Sequence, residues 1–410
     1  MSEQPPRHRR GNGSGNGKGN GRSGGRGDAS SGGFGRWLAG LGRRGRISLV
    51  VGAVIIVVLV GVVLAAVLSS GGTKGGTKSS SSTTSSSLGT LPSTSLPQVV
   101  TNSKLCPLTG LPAPAGNAPQ RPALAVKIGN DPSSRPQSGL DQADIVYEEM
   151  AEGGITRYMA VYQCQNAPLI GPVRSVRWDD WNILEPYRQA ILAYSGGIDP
   201  WMQEAATLPW IYNANGSFEP TANAYYRYSS SSPPASLGAP YNYYTSTKAL
   251  WGLFPNAKTL PPRLFKFSKT PPAGTTVART VSIPFSGASP VVWEWSRTAN
   301  QWLRFYDTKP DVDPAGTQLH TTNIVIQVVK TRFGPYNESG PDSRDVESLT
   351  VGSGTVYVLR NGRAETGTWD RPGPKNITKF IFPDGKPITL ARGTTWWEVV
   401  PDYVTVTIKK

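Results

Sequence analysis

One long apolar run dominates the hydropathy pattern near the start of this 410-residue chain. Residues 47–68 contain no charged residue and no proline, and as a helix rising about 1.5 Å per residue they would span a bilayer core of roughly 30 Å. Ten lysines and arginines precede the run against two acidic residues, whereas only Lys74 and Lys78 follow it closely. This asymmetry predicts a single-pass protein of the cell membrane, with a cytoplasmic N-terminus and extracytoplasmic C-terminal domains.

The sequences on either side of this predicted transmembrane helix are of low complexity. Residues 1–46 are rich in glycine and arginine and predict a disordered basic cytoplasmic tail, because they hold too little apolar surface to form a core. Residues 69–104 are rich in serine, threonine and glycine and predict a flexible linker. The folded part is therefore expected to begin near residue 105.

Short apolar runs mixed with helical patterns characterise residues 105–270. The predicted strands are 123–128, 145–149, 156–162 and 190–194. A short helix is predicted at 179–185, where Pro186 follows it, and a second one from about Pro200. This order favours a mixed α/β domain.

Residues 275–410 show a pattern of strands alone. Alternating runs at 291–296 and 301–306 flank a short polar turn, and another strand is predicted at 321–330. The pairs Asn361-Gly362 and Asp384-Gly385 lie between alternating runs, which is the strongest local signal for a hairpin. The predicted fold class is α+β, with a mixed α/β ectodomain and then a small all-β domain, after a disordered tail and a single transmembrane helix.

Charge and histidine content exclude several function classes. The net charge of +15 resides mainly before residue 101, since the 310 residues that follow carry 30 basic and 25 acidic side chains. We therefore expect no nucleic acid to bind the folded part. His8 lies in the tail, which leaves His320 as the only histidine of the folded part and excludes a histidine-rich zinc site. No metal and no cofactor are predicted.

The two cysteines, Cys106 and Cys164, both follow the predicted membrane span. An extracytoplasmic location is oxidising, so the pair is a candidate disulfide. Two separate buried thiols are the alternative.

Several motifs in order resemble one bacterial family. They are CPLTGL at 106–111, RP at 121–122, VKIGN at 126–130, RPQSGL at 135–140, ADIVYE at 143–148, EGGITRY at 152–158, GPVRSVR at 171–177, and a C-terminal set from 352 to 396. In this order they resemble the YerB family of bacterial cell-surface lipoproteins, over residues 105–405.

The resemblance implies an N-terminal and a C-terminal domain outside the cell membrane, without a known function. This chain departs from the family at its anchor, because a predicted transmembrane helix replaces the lipid-modified cysteine of many relatives. It also has Tyr194 and Tyr241 near positions where relatives often carry histidine. A mechanism that needs those histidines is not expected here.

Three arginines form the main candidate for a binding site. Arg157, Arg174 and Arg177 lie beside turns marked by glycine or proline, and guanidinium groups bind phosphate and carboxylate through paired hydrogen bonds. The acidic candidates of the same region are Asp144, Glu148 and Glu152. Two interpretations remain open: an anion site with acids beside it, or ion pairs that brace the turns.

An aromatic-rich stretch between Tyr194 and Trp251 adds a second candidate surface, which includes Tyr241. Such rings with hydroxyl groups suit a sugar ligand, although core packing also uses them. The carboxylates around Asp311 are interpreted as a solvated turn, since they fit no calcium-loop pattern.

Two function classes follow. The first is a membrane-anchored module that binds a cell-envelope glycan or an anionic polymer of the envelope. The second is a cell-envelope enzyme: a glycosidase using two carboxylates such as Glu148 and Glu152, or a phosphoryl transferase acting on lipid-linked glycopolymer with an Asp holding a divalent ion.

Overall fold

The structure, a computed structural model, describes residues 103–228, 237–271, 275–338, 340 and 343–410. The predicted tail, transmembrane helix and nearly all of the predicted linker lie outside these residues. Among the residues that are described, no helix is long and apolar enough to cross a membrane.

Strands make up most of the described structure. In chain order they are β1 (Ala123–Gly129), β2 (Ile145–Met150), β3 (Thr156–Tyr162), β4 (Ala190–Tyr194), β5 (Ile211–Asn215), β6 (Tyr225–Arg227), β7 (Tyr243–Thr245), β8 (Thr276–Val277), β9 (Thr280–Ser286), β10 (Ser289–Ser296), β11 (Gln301–Tyr306), β12 (Lys309–Pro310), β13 (His320–Thr321), β14 (Asn323–Val329), β15 (Thr331–Asn337), β16 (Arg344–Ser348), β17 (Gly352–Arg360), β18 (Arg363–Arg371), β19 (Lys379–Ile381), β20 (Thr395–Pro401) and β21 (Thr407–Lys409).

The helices are α1 (Trp178–Leu184), α2 (Asp199–Thr207) and α3 (Thr247–Gly252), with 3-10 turns at 132–134, 140–142, 152–154, 185–187 and 221–224. The two helices predicted from the sequence are α1 and α2. The mixed α/β prediction nevertheless overestimates helix, because most strands are joined by loops and single turns instead of packed helices.

A large mixed sheet organises the fold. Its strand order is β19-β18-β17-β14-β20-β2-β3-β1-β4-β5, and β8 pairs with β18. Strands β14 and β20 are parallel, β20 is parallel to β2, and Val146 lies opposite Trp396 at that junction. Strands from before and after residues 270–275 therefore share one sheet, inside one compact unit that runs from residue 92 to 410.

Strands alone follow residue 275 in the described part of the chain, as predicted, but they do not form one all-β domain. Several of them, including β14 and β20, lie in the main sheet, whereas β9–β13 and β21 form a second sheet. Its order is β12-β11-β10-β9-β21, with β13 beside β11, while β15–β16 and β6–β7 form separate two-stranded hairpins. The second sheet packs on one face of the main sheet, where Trp293 and Trp396 meet edge to face at 5.1 Å. At the β17–β18 turn, Asn361 and Gly362 have φ of 52° and 67°, which confirms the predicted hairpin.

The disulfide between Cys106 and Cys164 is confirmed, with 5.9 Å between the two Cα atoms. Both cysteines are buried in a small apolar cluster with Ala113, Ala118 and Leu260. The bond therefore ties the segment before β1 to the end of β3.

Candidate functional site

The predicted arginines gather at one edge of the main sheet. Strands β1, β2, β4 and β5 run in the same direction, so their carboxyl ends share this edge. Residues 171–177 pass between the ends of β1 and β4: the Arg174 N–H donates to the Lys127 carbonyl (3.0 Å), and the Arg174 carbonyl accepts from the Ser195 N–H (2.9 Å). Ligands of open α/β sheets bind at this kind of edge.

Arg157 and Arg177 are paired with carboxylates. Arg177 donates from Nε to Glu152 Oε2 (2.9 Å) and from Nη2 to Oε1 (2.7 Å), which is a bidentate pair. Arg157 Nη2 lies 3.4 Å from Glu152 Oε1, and its Nη1 lies 3.8 Å from Asp131. The contacts of these two residues agree with the interpretation that the arginines form ion pairs that brace the turns.

Arg174 differs from both. It is half-buried, and within the described part of the chain its guanidinium forms no ion pair and no hydrogen bond, while its Nε is buried. The guanidinium carbon lies 5.1 Å from the ring centre of Tyr241. The aliphatic stem packs closely on β1, since a Cβ at Gly129 would lie 2.8 Å from Arg174 Cγ. The side chain of Arg174 is thus fixed in place by packing, but no carboxylate neutralises its charge.

The electrostatics of this edge reflect three neighbouring guanidinium groups. Burial and the charges of Arg177 and Arg174 lower the pKa of Arg157 to about 10, against the effect of Glu152. Burial acts to raise the pKa of Glu152, but Arg177 and Arg157 outweigh it and lower that pKa. Burial raises the pKa of Glu338 to about 7, so this carboxyl offers only partial compensation to Arg177, 3.5 Å away. The edge favours a further anion.

A second charged cluster, which the sequence analysis missed, lies under the arginines. Lys127 Nζ pairs with Asp180 Oδ1 (2.7 Å) and with Glu149, and all three side chains are fully buried. The other oxygen of Asp180 accepts the backbone N–H of Arg177 (2.7 Å), which fixes the start of α1. A lysine in the otherwise apolar strand ALAVKIG was the available signal, because a buried charge needs a partner.

Asp144 lies far from the arginines. Asp144 directly precedes β2. Arg157 lies opposite Glu149 of β2, and Glu149 is five residues, or about 16 Å, further along the strand than Asp144. The carboxylate of Asp144 accepts the backbone N–H groups of Gln163 (2.5 Å) and Cys164 (3.0 Å), next to the disulfide. Burial raises the pKa of Asp144 to about 6.

This shift gives a pH-dependence prediction for Asp144→Asn. Between about pH 4 and about pH 6 the folded chain keeps the proton that the unfolded chain releases, so Asp144 costs increasing stability as the pH rises. The free energy of unfolding of the variant, compared with that of the original chain, should therefore rise by about 3 kcal/mol from about pH 4 to about pH 7. Urea unfolding at both pH values measures this, with the exposed Asp402→Asn as control. A gain that does not change with pH would contradict the assignment.

Glu148 lies on the opposite face of the main sheet from the arginines. Its Oε2 accepts from Arg304 Nη2 (2.8 Å), and Arg304 Nε donates to Asp311 (2.9 Å). Arg304 also lies 3.7 Å from Glu398, and all four side chains are buried. The interpretation of Asp311 as part of a solvated turn was wrong. Because Glu148 and Glu152 occupy opposite faces, each bonded to arginine, they do not flank a common groove.

The two candidate tyrosines have different environments. Tyr194 is fully buried in the core on the α1 face, and burial raises its pKa to about 12. Tyr241 is half-buried beside Arg174. Much of the surrounding aromatic stretch packs internally, as in the stacked pair Tyr225 and Tyr243 at 5.3 Å. Only Tyr241 of the two joins the arginine edge.

Comparison with known proteins identifies the family. The models described as protein of unknown function (DUF3048), N-terminal domain and C-terminal domain, match residues 108–259 and 281–397. The chain belongs to the YerB-like DUF3048 family. YerB of Bacillus subtilis, which is described as a candidate lipoprotein, is 29% identical over 308 residues, covering 74% of this chain and 88% of that protein.

The crystal structure of the YerB protein from Bacillus subtilis has the same fold. It superimposes with a TM-score of 0.59 at 24% identity, over 74% of this chain and 99% of the solved chain. About a quarter of the present chain therefore has no counterpart in that solved fold. The compact unit at 92–410 can accordingly be tested by itself.

Proposed function

We propose that this DUF3048 protein is a membrane-associated extracytoplasmic binding protein that takes an anionic polymer of the cell envelope at the arginine edge of its main sheet. One observation carries the proposal: of three neighbouring arginines, Arg174 alone has no carboxylate partner among the described residues. Arg157 and Arg177 hold the edge together through Glu152, and Arg174 faces the ligand.

The chemistry of the edge supports a phosphate- or carboxylate-bearing glycan. The free guanidinium supplies a planar donor for either anion. Tyr241 beside it, with half-buried Ser175 and Ser195, supplies a ring and hydroxyl groups for sugar. The unpaired charge distinguishes this edge from the purely structural ion pairs of the fold.

The location is proposed on separate grounds. The relative in Bacillus subtilis is described as a candidate lipoprotein, which is a membrane-associated extracytoplasmic type of protein. In this chain the apolar run at 47–68 would serve as the anchor and residues 69–104 as the tether. The disulfide agrees with an oxidising compartment.

Arg174→Ala is the direct test. We expect the unit 92–410 to bind purified anionic wall polymer, and the variant to bind at least tenfold more weakly, because charge-assisted hydrogen bonds contribute about 1.5–3 kcal/mol each. Arg174→Lys should lie between the two, since it keeps the charge but loses the planar donor. Binding to polymer-coated and peptidoglycan-coated surfaces measures all three.

The matched control is Arg297→Ala, which removes an exposed arginine from the turn between β10 and β11. It should bind as the original unit does. Absence of binding by the original unit would refute the proposal. If Arg174→Ala bound the polymer as tightly as the original unit does, Arg174 would not be part of the binding site.

A further inference from the structure

A second region of the molecule, remote from the arginine edge in sequence, combines an apolar floor with a basic rim. It is a groove of about 1100 Å³ formed by residues 262–267, the chain after β18, and the turn that follows β19. This volume is slightly larger than that of typical small-molecule sites, which occupy about 300–1,000 Å³. The half-buried side chains of Phe267, Ile377 and Ile381 contribute apolar surface to the floor, above the buried Leu264 and Phe265.

The charge of the groove is one-sided. Six of its lining residues are basic, and none of the lining residues that the structure describes is acidic. The lining lysines and arginines are Arg188, Arg263, Lys266, Lys375, Lys379 and Arg392. The lining is far more basic than the folded part as a whole, which has nearly as many acidic as basic side chains. Asp384 in the adjacent turn already pairs with Lys386 (2.7 Å).

A buried cation lies next to the groove. Arg371 is 2% exposed and lines a small cavity of about 20 Å³, which shares Leu264 and Ile377 with the groove. Its Nη1 donates to Thr350 (3.1 Å), and its Nη2 donates to the carbonyls of Asn182 (2.6 Å) and Pro374 (2.5 Å). Among the described residues Arg371 has no carboxylate at ion-pair distance, and its Nε has no hydrogen-bond partner.

An unpaired buried guanidinium is costly, so an anion that reaches it is stabilised. The small cavity has room for about one water-sized group, such as one oxygen of a head group. Burial lowers the pKa of Arg371 to about 10, which leaves it charged at neutral pH. Arg371 therefore adds a positive charge beside the groove.

We infer that this groove binds a membrane lipid with a phosphate head group, with the tail on the apolar floor and the phosphate at the basic rim, which includes Lys266 and Lys379. A hydrophilic polymer or an acidic peptide would satisfy the basic rim but leave the apolar floor in water. A neutral lipid would cover the floor but bring no negative charge to the basic rim. Only an amphiphile with an anionic head matches both.

The first test compares two phosphates on the unit 92–410. Dodecyl phosphate below its micelle concentration should bind at least tenfold more tightly than ethyl phosphate, because each buried CH₂ adds favourable transfer free energy. Isothermal titration measures both. Equal affinity for the two phosphates, or tighter binding of polyglutamate than of dodecyl phosphate, would overturn the inference.

The second test uses paired lysine variants. Lys266→Gln with Lys379→Gln should reduce binding of dodecyl phosphate, and retention on phosphatidylglycerol-containing phosphatidylcholine vesicles, by about tenfold or more. Lys248→Gln with Lys309→Gln removes the same charge from two exposed sites elsewhere and should leave both unchanged. Equal losses in the two double variants would overturn the inference. Arg174→Ala should not affect the binding of dodecyl phosphate. The groove and the arginine edge are therefore tested by different variants, and either proposal can be refuted without the other.

Discussion

Replacing Arg304 by alanine should lower the free energy of unfolding by about 3–5 kcal/mol, the largest effect we expect from a single substitution. Arg304 is fully buried and bonded to Glu148 (2.8 Å) and Asp311 (2.9 Å). Removal of the cation would leave these carboxylates buried without a counter-charge. The indole of Trp396, 4.8 Å from the guanidinium carbon, would lose its contact as well. Urea unfolding followed by tryptophan fluorescence measures the loss.

Two matched variants make this prediction specific. Burial and the neighbouring Glu148 raise the pKa of Glu398 well above its usual value, which favours the protonated form. Glu398→Gln mimics that form and keeps an acceptor for the Trp293 N–H (2.8 Å), so it should cost less than about 1 kcal/mol. Arg297→Ala, on the same β10–β11 hairpin but exposed, should change stability by less than about 0.5 kcal/mol. A loss below 1 kcal/mol for Arg304→Ala would show that the cluster relaxes without its cation.

Loss of the disulfide should destabilise the fold by a similar amount. Cys106 and Cys164 are 58 residues apart, and closing a loop of that length in the unfolded chain corresponds to about 4 kcal/mol. Cys106→Ala combined with Cys164→Ala should therefore unfold at much lower urea concentration than the oxidised original.

Reductant supplies the control for this prediction. It should shift the unfolding of the original unit toward that of the double variant and leave the double variant unchanged. The cysteines lie in a cluster with Ala113 and Ala118, so alanine introduces no polar group there. A difference under about 1 kcal/mol would mean that packing alone holds the segment before β1.

Several strands could be predicted from local pattern, because apolar runs with β-branched residues are a property of adjacent positions. The predictions at 156–162, 190–194 and 301–306 agree with β3, β4 and β11 at both ends. The placement of β14 and β20 could not be predicted. β20 is buried along its whole length and β14 at every position except Val328, and an apolar run does not record which strand lies beside it.

The buried charge clusters escaped prediction for a related reason. Arg304 meets Glu148 across 156 positions of sequence, and Trp293 meets Glu398 across 105. No local spacing encodes such pairs. Asp311 was misread for a different reason: Arg304 is only seven positions away, but the burial that makes this pair part of the core comes from packing and not from spacing.

The arginine edge was predicted as a set of residues but not as a set of roles. The motifs around 152–158 and 171–177 contain all three arginines; the bracing interpretation describes Arg157 and Arg177, and the anion site at Arg174 stays a proposal. Glu152 neutralises Arg157 and Arg177 and leaves Arg174 free. Tyr241 joined them, while Asp144, Glu148 and Tyr194 proved to lie elsewhere.

The amino-acid sequence alone was enough to assign the family, to place the ends of many strands, to propose the cysteine pair and to predict a membrane anchor. Each of these depends on residue types or on neighbours in the chain. Which charges are neutralised could be seen only in the folded molecule, because ion pairing depends on distances of a few ångströms between segments far apart in sequence. For the same reason the basic groove beside Arg371 became visible only when residues from 105 to 392 met around it.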